Sequence, residues 1–121
     1  MIKIVFFLKR STDLTREEFR KLYESRHARL GEKHVPNAAR YVRRYLEPVP
    51  ELFTGTMFEP EHDVITELWF DDRAAYEQAM ANLARPEVVA EIVADEETIF
   101  DRSKHRLFMV EECDSPVGAE R

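Results

Sequence analysis

Two of the four histidines, His27 and His34, fall in the segment ESRHARLGEKH over 24–34, where an amphipathic pattern runs out. Imidazole titrates near neutrality, so either ring is chemically able to take and return a substrate proton. Their separation is not the i,i+4 spacing of helical metal-ligand pairs, and His62 and Asp63 are far from both in sequence. No metal or other cofactor is therefore assigned. Tyr23 precedes His27 by one helical turn, which stacks the two rings on one face. The alternative for His27 is a C-terminal helix cap favoured by the helix dipole.

Three further groups have usable chemistry. Tyr41, Arg43 and Tyr45 alternate along a strand and share one face. Phenols beside a guanidinium suit a developing oxyanion, and the same residue types are enriched at subunit interfaces. Glu67 lies between Ile65 and Trp69 on another strand face, so it needs a base such as Arg43 or a raised pKa. Phe53 and Phe58 lie in a proline-rich connection over 48–61 that is long enough to cover a hydrophobic ligand. With three scattered glycines there is no phosphate nest, dinucleotide fingerprint or nucleophile elbow.

These residues are positioned by a legible series of elements. Ile2–Leu8 is an almost continuous apolar run and reads as a central strand. Thr15 and Glu18 form a capping box that starts a helix, with Gly31 as its expected stop. Arg40–Glu47 and Asp63–Phe70 read as strands, and Asp71 and Asp72 cap the next helix. Pro86 opens a further helix, whose apolar stripe is Val88, Val89, Ile92 and Val93. Arg106–Val110 is the last strand. The order is βαββαβ, a ferredoxin-like α+β fold with an antiparallel sheet and helices on one face. Both parities of the strands are apolar or aromatic, so the sheet face away from the helices calls for cover. A second copy of the chain is the expected cover, making a homodimer through the β-sheets.

The chain of 121 residues reads as one domain over 1–113 with a flexible C-terminal tail over 114–121. A formal charge of −6 argues against a nucleic-acid footprint. The N-terminal apolar run is too short for a membrane span or a secretory leader. Cys113 is the only cysteine, which fits a cytoplasmic protein.

The opening KIVFFLKRSTDLTREEFRKLYESRHARL resembles the N-terminal signature of the EthD-like family. Its features are the strand ending in Lys9-Arg10, the helix start over Leu14–Phe19, and Arg26-His27 followed by Leu30. The strand Asp63–Phe70 running into DDRAAY, and the close from Phe100-Asp101 to Glu111-Glu112, resemble later parts of the same pattern. The usual aromatic pair of helix one is Leu22-Tyr23 here. The resemblance implies a dimeric α+β barrel with a substrate cleft between sheet and helices. It makes His27 the acid/base residue, places a pocket tyrosine at Tyr41 and brings His105 to the pocket. Together with the reading above, the expected catalytic set is His27, Tyr41 and Arg43. The expected substrate-binding set is Tyr23, His34, Phe53, Phe58, Glu67, Trp69 and His105. The expected activity is a cofactor-independent lyase or isomerase, of decarboxylase, dehydratase or cyclase type, acting on a small hydrophobic or aromatic oxygenated metabolite. The alternatives are a non-catalytic small-ligand-binding accessory protein of a catabolic pathway and a haem-binding or haem-degrading barrel protein.

Overall fold

A computed structural model describes residues 1–118. Its elements are β1 (Ile2–Leu8), α1 (Arg16–Leu22), a π-helical segment (Tyr23–His27), α2 (Ala28–His34), β2 (Arg40–Tyr45), β3 (Val64–Phe70), α3 (Arg73–Leu83), α4 (Pro86–Ile99), a 3-10 turn (Arg102–Lys104) and β4 (Arg106–Met109). The capping box forms: Glu18 N–H donates to Thr15 Oγ1 at 3.1 Å, and Thr15 N–H donates to Glu18 Oε1 at 2.9 Å. Asp72 caps α3 by accepting from Ala75 N–H at 2.8 Å. Proline at the first turn starts α4 without losing a hydrogen bond.

The four strands form one antiparallel sheet in the order β2-β3-β1-β4. Register sorts the side chains by face. Ile4 pairs with Leu68, Phe6 with Thr66 and Tyr41 with Leu68, which puts these residues on the helix side. Phe19, Tyr23, Val64, Phe70 and Ile99 are the largest fully buried side chains and join that face to the helices.

Three expectations are corrected. The sheet is open, with β2 and β4 as free edges, and is not a barrel. Four strands are too few to curl closed, since a barrel with a filled interior takes roughly eight. The barrel was implied by the family resemblance, and the apolar outer face that called for cover in fact covers itself in part. Trp69 lies under Lys3 Nζ at 3.7 Å and the Arg40 guanidinium at 4.4 Å, and its Nε1–H donates to Glu67 at 2.9 Å. Val5 on the same face is only 7% exposed.

Second, Gly31 does not stop the helix, which runs on to His34. A Cβ at Gly31 would stand 2.5–2.7 Å from the outer ring atoms of Tyr41, so glycine here permits close approach of helix to sheet. Third, Glu67 pairs with Arg44, not Arg43, at 2.8 Å. Arg44 shares the outer face with Glu67, whereas Arg43 points to the helix side opposite Thr66.

Of the expected tail over 114–121, Asp114–Val117 is exposed, and residues 119–121 lie outside the described residues. Among the described residues no helix is long and apolar enough to cross a membrane.

Candidate functional site

A cavity of about 340 Å³ opens between the sheet and helices α2 and α4. That is at the small end of the range for ligand sites. Phe6, Leu8 and Leu68 from the sheet and Leu30, Ile92 and Val93 from the helices make its apolar walls. Tyr23, His27, Tyr41, Thr66, Glu96 and His105 are its polar lining. Leu107 on β4, more than half exposed, marks where it meets solvent.

His27 ends the π-helical segment, in which the Ala28 N–H reaches back to the Tyr23 carbonyl. Such single-turn insertions favour functional positions because they re-aim a side chain without ending the helix. The His27 ring packs edge-on against Tyr23 and Phe100, at 5.2 and 5.1 Å between centroids. Its Nδ1 lies 3.0 Å from Asp95 Oδ2, and its Nε2 lies 3.9 Å from Glu96 Oε2. Asp95 is held in turn by Arg26, whose Nε donates to Oδ1 at 2.6 Å. An ionised Asp95 accepts the Nδ1 proton, so the neutral ring keeps its lone pair on Nε2.

Burial holds the Glu96 carboxyl above its ordinary pKa, against the lowering fields of His27 and Arg102. Arg102 Nε donates to Glu96 Oε1 at 3.3 Å. Burial, reinforced by the Arg102 and His27 charges, pushes His105 down to about 4. His105 is therefore neutral at pH 7, and its buried Nε2 has no hydrogen-bond partner among the described residues. Its ring lies 5.0 Å from Phe100, the same phenyl that supports His27. Tyr23 and Tyr41 are both pushed up by burial and remain phenols. Tyr23 shares a 2.5 Å hydrogen bond with Thr66.

The cavity thus brings together His27, Tyr41, Tyr23 and His105. The other expected site residues lie elsewhere. Arg43 is spent on Glu24, through Nη2 at 2.6 Å and Nε at 3.1 Å, and Tyr45 donates to the same carboxylate at 2.6 Å. His34 pairs with Glu91 at 3.2 Å and borders a separate surface depression with Asn82 and Arg85. Glu67 and Trp69 are bonded to each other on the opposite sheet face. Phe53 and Phe58 stand out in solvent, Phe53 with 93% of its surface exposed. Their loop closes instead on its own turn, where the Gly55 N–H donates to the Glu51 carbonyl.

Asp95, Glu96 and Thr66 escaped the sequence reading. For Glu96 a signal was present: it continues the Ile92 and Val93 stripe at i+4 and i+3, which puts a carboxylate on a buried face. Among the described residues, no group of three or more His, Cys, Asp or Glu side chains is arranged to hold a metal ion.

The model of the EthD domain matches residues 11–103. Structural relatives include an ethyl tert-butyl ether D (EthD) family protein from Bacillus halodurans C-125. It is 19% identical, with a TM-score of 0.61 over 93% of this chain and 100% of that one. HapK from Hahella chejuensis matches at 13% identity and a TM-score of 0.60, over 95% of each chain. A NIPSNAP domain protein from Burkholderia xenovorans matches at 15% identity and a TM-score of 0.55, over 93% of this chain and 95% of that one. At such identities the likeness establishes the fold alone. No curated protein matches the chain. None of these descriptions names a lyase or an isomerase, so the expectation of that class was narrower than family membership supports.

Proposed function

The chain belongs to the EthD family, and we propose that it is a small-molecule enzyme in which His27 moves a proton on an oxygenated hydrophobic ligand. The observation that carries this reading is the His27–Asp95 contact at 3.0 Å, which leaves Nε2 on the Glu96 side of an apolar cavity. Asp95 sets the tautomer and stabilises the imidazolium once Nε2 has taken the proton. Tyr41, a phenol in the same cavity, donates to the ligand oxygen on which negative charge develops. Elimination and ring closure both need this proton step, and neither needs Arg43.

Deuterium exchange tests the proposal. Ring hydrogens of 1,3-dihydroxynaphthalene exchange in D2O through its keto tautomer, and NMR follows the loss of signal. The wild-type protein should accelerate exchange by roughly tenfold or more over buffer, and His27→Gln should abolish the gain while the probe still binds. Equal rates for both proteins with bound probe would convert the site into a non-catalytic ligand pocket.

The exposed β4 edge supports a second copy of the chain as partner. Leu107, Phe108 and Met109 are each more than half exposed on the strand at one edge of the open sheet. Such an edge invites pairing or cover.

A further inference from the structure

We propose that this cavity, taken as the ligand site of the preceding reading, selects uncharged hydroxylated ligands and rejects carboxylates and other anions. The charge of its lining carries the argument. Among the described residues no lysine or arginine lines it, and Glu96 is the one carboxylate there. Three arginines that touch the lining or its partners are each paired to acids: Arg26 with Asp95, Arg43, which lies over the Tyr41 ring, with Glu24, and Arg102 with Glu96. In the tautomer set by Asp95, His27 turns an Nε2 lone pair and not a proton toward an incoming anion. Glu96 also sits in the last turn of α4, where the helix dipole adds partial negative charge. An anion entering these apolar walls would lose its hydration and gain no countercharge.

The polar corner suits a neutral oxygen instead. His105 brings an unpartnered Nε2, which can accept from a ligand hydroxyl or, in the other tautomer, donate to it. The 3.9 Å gap between His27 Nε2 and Glu96 Oε2 lets one hydroxyl reach either group. The ring or chain bearing that hydroxyl then lies against Leu30, Ile92 and Val93. This selection narrows the chemistry, because a substrate entering with a free carboxylate as its leaving group does not fit.

The test is calorimetric titration at pH 7 with three probes of one shape: 2-naphthol, 2-naphthoate and 2-naphthylmethylammonium. The expected order has 2-naphthol binding at least tenfold more tightly than naphthoate, and also more tightly than the ammonium. In Glu96→Gln the ratio of naphthol to naphthoate affinity should narrow at least fivefold. Naphthoate or the ammonium binding as tightly as 2-naphthol would overturn the charge selection while leaving the cavity a ligand site. A wild-type preference that survives Glu96→Gln unchanged would overturn the assignment to Glu96. If none of the three binds, the cavity is not a ligand site and the preceding reading falls with it. Should the variant fail to fold, the three-probe order in the wild-type protein still decides the charge selection.

Discussion

Gly31→Ala is expected to destabilise the protein, and to stabilise it once Tyr41 has been replaced by leucine. Gly31 lies inside α2 with no left-handed backbone requirement. Helix propensity alone therefore favours alanine by roughly 0.5–1 kcal/mol. Against this, the new Cβ would lie 2.5 Å from Tyr41 Cε2 and 2.7 Å from Cζ and Oη, well inside van der Waals contact. Overpacking of this kind costs roughly 1–3 kcal/mol. The net expectation is a loss of about 1 kcal/mol, the difference of these two ranges. In a Tyr41→Leu background the ring is gone and only the propensity gain remains, about 0.5 kcal/mol or more. The coupling energy is then about 1.5 kcal/mol, large enough for a double-mutant cycle by urea denaturation to resolve. Had Gly31 been the helix stop its type suggests, alanine would destabilise both backgrounds alike. That result would refute the close-approach account.

Three other outcomes are expected. Asp95→Asn keeps the size of the group that holds His27 but can present a donor to Nδ1, so probe exchange should slow roughly 10- to 100-fold with probe affinity retained. Exchange at the wild-type rate would remove Asp95 from the mechanism. His105 has an ordinary value of 6.5 and is held at about 4 in the fold, so the folded state binds fewer protons between those values. Its contribution to stability is complete above pH 6.5 and is lost as pH falls through about 4. The shift bounds that contribution at roughly 3 kcal/mol, and partial solvent access lowers it to about 2 kcal/mol. Denaturation curves at pH 7.5 and 4.5 should accordingly differ less for His105→Phe than for wild type, and identical differences would contradict the assignment. Finally, Phe108→Glu on the exposed β4 edge should convert a dimer into a monomer by light scattering, and an unchanged mass would place the partner elsewhere.

Local pattern was enough to find the elements. The Thr15–Glu18 box, Asp72 and Pro86 announce three helix starts, because capping chemistry is decided within a few residues. Strand parity put Tyr41, Arg43 and Tyr45 on one face, and register turns that face to the helices. Parity cannot say which member of a face stays free. Arg43 was consumed by Glu24, a residue 19 positions away, and Tyr45 joined the same carboxylate. His27 and His34 looked alike in sequence, yet one meets Asp95 at a cavity and the other meets Glu91 beside a surface depression.

The sequence by itself determined the order βαββαβ, the helix starts, the single-faced placement of the helices and the interest of His27. Each follows from residue periodicity or from hydrogen bonds made within one turn. Only the tertiary structure decided that the sheet stays open, that Gly31 makes room for Tyr41, and that Asp95, Glu96 and His105 converge on His27. Those outcomes depend on which distant groups meet at α4 and on how their charges are spent. A carboxylate on α4 more than 60 residues from His27 sets that histidine's tautomer, and no local pattern encodes such a meeting.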